Sequence, residues 1–344
     1  MKKITIIGLG YVGLPLAIEF GKKFNVIGFD ISKPRIYELK RGIDSNGEFT
    51  DNEILQNKIQ FTHLEKDVRN SEFYIITVPT PLKKSKKPDL RPLKNASQIV
   101  GKKIKKGDIV IYESTVYPGC TEDECVPILE KYSDLVYNVD FFCGYSPERI
   151  NPGDKKRKLP SIKKVVSGSN SKVSNIVNDL YSKIITAGTH IAPSIKVAEA
   201  SKIIENVQRD VNISLMNEFA LIFEKLNLDT KEVLDAASTK WNFLNFKPGL
   251  VGGHCIGIDP YYLAYKSEKS GYKPKVLLSG RKVNNNISKN IFKSIQKQCI
   301  KLDIDLKKCK ILILGITFKE NCSDIRNSRV INLYNHFKKL NNNI

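Results

Sequence analysis

The sequence predicts an α/β protein in three parts, on three observations. An apolar run over residues 3–8 passes through closely spaced glycines into a helically patterned segment over 14–20. From about residue 194 to 226 the apolar spacing becomes that of one long helix. Near residue 309 a strand-like run and a glycine turn return. Strand, glycine turn and helix in that order predict an N-terminal Rossmann-like, dinucleotide-binding domain. The long helix predicts a helical middle domain, and the last segment reads as the start of a second Rossmann-like domain, with too little chain after it to close a sheet. The expected boundaries are 1–193, 194–304 and 305–344.

Each element has its own warrant. Gly8, Gly10 and Gly13 follow the first strand. The first allows a tight turn, the second lets a pyrophosphate approach the backbone, and the third lets helix and strand pack closely. A second strand over 25–29 ends in Asp30, an acid placed to accept hydrogen bonds from a ribose 2′-hydroxyl and to repel a 2′-phosphate, which favours NAD over NADP. Apolar runs over 73–78 and 108–112 predict further strands, leading to Thr80 and Thr115. Those threonines stand where open parallel sheets hold ligands, or cap helices. Runs over 141–144, 165–168 and 184–186 predict the remaining strands. In the long helix Ile204, Val207, Val211, Leu215 and Ile222 predict a core stripe, with Lys202, Asn206 and Arg209 roughly opposite. Helices are expected over 230–239 and 275–302, a strand over 309–314, and a helix over 324–340.

Composition narrows the function. The 344 residues carry a formal net charge of +20, spread along the chain apart from a cluster at Lys83, Lys84, Lys86 and Lys87. No nucleic-acid recognition motif accompanies that charge, so a solvated surface attractive to small anions is expected. No apolar run is long enough for a membrane span. The seven cysteines have neither a disulfide framework nor a zinc spacing. A cytoplasmic protein without a metal is expected. One of them, Cys255, lies in KPGLVGGHCIGIDPYY from Lys247. The glycines there bare the backbone around the sulfur, and Asp259 follows four residues on, so chemistry is favoured over an idle structural thiol. Glu148, in a loop on the ligand edge of the sheet, is a candidate acid or base.

Taken together, GLGYVGLP from Gly8, VPTP from Val78, ESTVYPGC from Glu113, SPERINPG from Ser146, GGHCIGIDP from Gly252 and TFKENC from Thr317 resemble the UDP-glucose/GDP-mannose dehydrogenase family. The match spans essentially the whole chain. It implies a four-electron oxidation of a sugar C6 alcohol to a carboxylate, consuming two NAD and one water, for surface polysaccharide synthesis, by a homodimer built on the long helix. Cys255 matches the nucleophile that forms a thiohemiacetal and then a thioester. Lys202 and Asn206 match the residues that stabilise the substrate oxyanion, and Glu148 and Asp259 the carboxylates that manage proton and water. The resemblance places Gly8, Gly10, Tyr11, Val12, Gly13, Asp30, Arg35, Thr80, Thr115 and Arg326 around NAD. Lys247, Gly249, Gly252, Gly253, Phe318, Lys319 and Arg209 would border the UDP-sugar. ENVQRDVN from Glu205 and KWNFLNFKPG from Lys240 are similar to members acting on UDP-N-acetylglucosamine, with the galactosamine and mannosamine epimers left open. Pro152 replaces a glutamate of the glucose-type members and disfavours UDP-glucose. Family members continue through a complete UDP-binding domain, so a shortened chain that binds NAD without turnover is the rival expectation, with a two-electron hydroxyacid dehydrogenase third.

Overall fold

The computed structural model describes residues 3–149, 157–253, 256–317, 320 and 324–340, which divide into two compact units, 1–203 and 204–344.

The first unit alternates strands and helices: β1 (Lys3–Ile7), α1 (Gly13–Gly21), β2 (Asn25–Phe29), α2 (Lys33–Lys40), α3 (Asp51–Leu55), β3 (Ile59–Thr62), β4 (Phe73–Ile76), α4 (Arg91–Gly101), β5 (Ile109–Tyr112), α5 (Val126–Ser133), β6 (Phe142–Tyr145), β7 (Lys164–Gly168), α6 (Ser171–Ser182) and β8 (Thr189–Ile191). The eight strands form one sheet in the order β3-β2-β1-β4-β5-β6-β7-β8. All neighbours are parallel except β6 and β7. β1, β4 and β5 are apolar on consecutive residues because helices cover both sheet faces. Ile4, Ile6, Ile75 and Ile111 are accordingly buried with Leu14, Ala17 and Ile18 of α1.

The strand expected over 184–186 is instead the turn that closes α6. The Ile184 and Ile185 amides donate to the Tyr181 carbonyl, and both side chains are buried. Their apolarity serves the core and not a ladder; the edge strand follows as β8.

α7 (Ile195–Leu226), a 32-residue helix, runs from the first unit into the second. The second unit continues with α8 (Thr230–Ala237), α9 (Asp259–Lys269), α10 (Lys275–Lys301) and α11 (Arg329–Lys338). Phe292 of α10 packs edge-on against Phe337 of α11 and stacks on His336. The strand expected over 309–314 is absent. Leu312 and Leu314 are 81% and 83% exposed, and among the described residues no neighbouring strand pairs with this segment, without which extended backbone has no ladder to hold it. The helix expected over 324–340 starts only at Arg329, capped by the Ser328 hydroxyl.

α7 also corrects the expected core stripe. Ile204, Leu215 and Ile222 point outward, at 56%, 42% and 45% exposure. The buried side carries Glu199, Lys202, Asn206, Asp210 and Asn217 among Ala198, Ile203, Val207 and Met216. Both faces repeat at helical spacing, and the polar one is inside because its groups find partners there.

Candidate functional site

The glycine turn has the geometry its sequence demands. Gly8 adopts φ +94°, and a Cβ on Gly13 would stand 1.8 Å from the Gly8 carbonyl oxygen, so only hydrogen fits. Around Gly10 there is open space, as a close backbone approach by a phosphate requires. Asp30, just past β2, accepts from the Leu9 amide at 2.8 Å and from Ser32. Arg35 donates to the Leu9 carbonyl at 3.0 Å and pairs with Asp44. Tyr11 is half-buried, and Val12 precedes the first turn of α1. The turn lies at the end of β1, and the sheet's strand order reverses between β1 and β4, the crevice in which doubly wound sheets bind dinucleotides. Thr80 and Thr115 are brought together there, the Thr80 hydroxyl donating to the Thr115 carbonyl at 2.6 Å; neither caps a helix.

Glu148 follows β6 on the same edge. Its Oε1 is buried and has no hydrogen-bond partner among the described residues. Burial pushes its carboxyl up to about 7, against the opposing pull of the Lys202 and Lys164 ammonium groups. Lys202 itself is buried.

Nearby, Glu199 accepts from the amides of Gly119 and Thr121, at 2.5 and 2.9 Å, tying α7 to the loop that carries Thr115. Burial raises its carboxyl to about 7. A folded pKa above the unfolded one means that the fold takes up a proton, so this contribution is present at low pH and is lost as pH rises through about 7. Glu199→Gln should therefore flatten the pH dependence of stability. Urea unfolding at pH 5 and pH 8 should show the parent losing on the order of 2 kcal/mol more than the variant; equal slopes would refute the assignment.

In the second unit Asn206 donates to Asp259 at 2.5 Å, and both are buried. Asp259 opens α9, where the helix dipole favours a carboxylate. Asn217, which sequence reasoning missed, holds Gly249 from both sides, accepting from its amide at 2.8 Å and donating to its carbonyl at 3.0 Å. Behind it, Arg281 pairs with Asp210 at 2.5 Å, and Asn284 donates both to Asp210 and to its backbone carbonyl. A Cβ on Gly252 would meet the Asn327 carbonyl at 2.6 Å, and Gly253 has φ +78°. Lys247 and Arg209 are exposed. Arg209 does not join the buried polar face of α7; Asp210 takes that place. Arg326 forks onto Asp324, at 2.5 and 3.0 Å. Cys255, Phe318, Lys319 and Pro152 lie outside the described residues.

Comparison with known proteins matches this architecture to two family models. Residues 2–185 match the NAD-binding domain of the UDP-glucose/GDP-mannose dehydrogenase family, and residues 196–286 match its central domain. The chain belongs to the UDP-glucose/GDP-mannose dehydrogenase family. It is 56% identical to a UDP-N-acetyl-D-glucosamine 6-dehydrogenase of Salmonella typhi, over 98% of this chain and 80% of that protein. It is 55% identical to protein CapL of Staphylococcus aureus, over 100% of this chain and 81% of that one. The structure of a UDP-D-ManNAc dehydrogenase from Pyrococcus horikoshii superposes with a TM-score of 0.91 at 30% identity, covering 98% and 81% of the two chains.

As a member of this dehydrogenase family the chain is an NAD-dependent oxidoreductase acting on a nucleotide sugar, and the glycine cradle at Gly8, Gly10 and Gly13 fits that cofactor. Family membership also weighs against a non-catalytic NAD-binding protein. Besides Asn217, the residues missed from sequence are Lys164, Tyr181, Glu199, Asp210, Arg281 and Asn284. For all but Tyr181 the one legible signal is a charged or amide side chain inside a helix or strand pattern.

Proposed function

We propose that this enzyme oxidises the C6 alcohol of UDP-N-acetylglucosamine to the uronic acid, with two NAD and one water, for a surface polysaccharide. The observation that carries the reading is the 56% identity to the Salmonella typhi protein of that name over 98% of the chain. NAD, when bound, supplies the hydride acceptor. Gly8, Gly10 and Gly13 would admit its pyrophosphate, Asp30 its ribose, and Thr80 and Thr115 the sheet-edge portion. Lys202 and Asn206, one turn apart on α7, would hold the substrate oxygen and stabilise its negative charge. Cys255 adds to the aldehyde as a thiolate, giving a thiohemiacetal; oxidation of that adduct leaves a thioester, which water cleaves with the thiolate departing. Glu148 and Asp259 handle the proton and the water. Asn217 would hold the sugar-nucleotide loop around Gly249 in shape.

The test counts NADH formed per sugar consumed, with UDP-N-acetylglucosamine and its galacto and manno epimers. Two NADH per UDP-N-acetylglucosamine is the expected result. One NADH per sugar would overturn the four-electron course, and turnover of an epimer alone would overturn the substrate.

The outward apolar face of α7 supports a homodimer, with Ile204, Leu215 and Ile222 covered by a second copy. Ile222→Glu should then shift the sedimenting species from dimer to monomer; an unchanged dimer would locate the interface elsewhere. Use of NAD, together with free thiols at Cys120, Cys125, Cys143, Cys299 and Cys309, supports the cytoplasm as its compartment.

A further inference from the structure

We propose that Lys164, with Glu113 and Tyr181, forms a buried positioning cluster that clamps the backbone immediately before Glu148 and balances the charge around its carboxylate. The inference rests on the reading that Glu148 manages a proton in turnover.

A lysine buried to 3% exposure is costly unless every donor is used. Lys164 spends one on Glu113 Oε2 at 2.7 Å and the others on the carbonyls of Pro147 at 3.0 Å and Ser146 at 3.4 Å. Those two carbonyls lead directly into Glu148. The opposite oxygen of Glu113 accepts from the Tyr181 hydroxyl, and the Lys164 ammonium sits 5.4 Å from the centre of the Tyr181 ring. Ser146 is pinned as well, its hydroxyl donating to the Val165 carbonyl at 2.8 Å. The antiparallel turn of β7 makes this possible. Running against β6, it places its first residue at the edge where β5 and β6 end.

Among the described residues, the charged groups that act on Glu148 include Lys202 from α7, Lys164 from β7, Glu113 just after β5, and Arg149 beside it. The two lysines and the arginine favour its ionised form, while Glu113 opposes it. Lys164→Met removes one favourable charge and leaves Glu113 unneutralised. Both changes raise the pH at which Glu148 ionises.

The experiment measures kcat/KM against pH for the parent, Glu148→Gln, Lys164→Met, Lys164→Arg and Tyr181→Phe, with thermal melts of each. Glu148→Gln identifies the limb that belongs to Glu148 by removing it. That limb should move up by about one pH unit in Lys164→Met, stay near the parent position in Lys164→Arg, and move up by less in Tyr181→Phe, which removes only the hydroxyl from Glu113. A folded Lys164→Met with the limb at its parent position overturns the proposal. If that variant fails to fold, an unmoved limb in Tyr181→Phe overturns it. A limb that survives Glu148→Gln refutes the role of Glu148 itself, and is thereby distinguished from a failure of the cluster.

Discussion

Lys202→Met should lower kcat by roughly a thousandfold while changing NAD affinity little. The side chain is buried on α7, one turn from Asn206, and its ammonium is the foremost of the groups opposing the rise in the carboxyl pKa of Glu148. Methionine keeps the length and apolar stem, so packing survives and the charge alone is lost. An ammonium serves best where the substrate oxygen carries its greatest negative charge, so the loss should fall on kcat more than on KM. A second effect has a fixed sign. Without the Lys202 charge, burial acts on Glu148 with less opposition, so its pKa moves up from about 7 and the corresponding limb of the pH profile moves to higher pH. Steady-state kinetics from pH 6 to 9 checks both. A kcat within tenfold of the parent would remove Lys202 from the oxyanion role.

The parts of this molecule that were legible in sequence are those whose constraint is local. Gly8 and Gly13 could be read because backbone conformation and close packing exclude any side chain there, and the two residues that impose this are only five apart. The strands at β1, β4 and β5 could be read because a sheet buried on both faces leaves an apolar run. Lys202 and Asn206 could be placed on one face of a helix from their spacing alone, and both lie buried on α7. Where the deciding partner is distant, reading failed. Arg281 and Asp210 are 71 positions apart, and nothing near either residue announces that both are buried. The outward stripe at Ile204, Leu215 and Ile222 was read as core because periodicity reports an amphipathic helix without saying which face another body covers. Leu312 and Leu314 alternate as a strand would, yet alternation supplies no neighbour to pair with.

The Arg281–Asp210 pair yields the largest effect on stability. Its side chains are 2% and 0% exposed, and breaking a buried pair by removing one partner costs about 3–5 kcal/mol because an uncompensated charge remains. Arg281→Met should show that loss in urea unfolding at pH 8. Damage should also reach the glycine-rich loop. Arg281 donates to Asn285 at 2.8 Å, Asn285 donates to the Tyr261 hydroxyl and accepts from Arg329, and Arg329 reaches the Val251 carbonyl at 3.3 Å. The pH dependence is again determined in sign. Burial already raises the Asp210 carboxyl in spite of Arg281, and removing the guanidinium raises it further. The folded variant then takes up a proton that the unfolded chain does not, so its deficit against the parent should be largest at pH 8 and narrow toward pH 5. Adding Asp210→Asn to Arg281→Met removes the stranded charge and should recover more than half of the loss at pH 8. A deficit that is the same at both pH values, or a double variant no better than the single one, would mean that packing around Arg281 and not the orphaned carboxylate carries the cost.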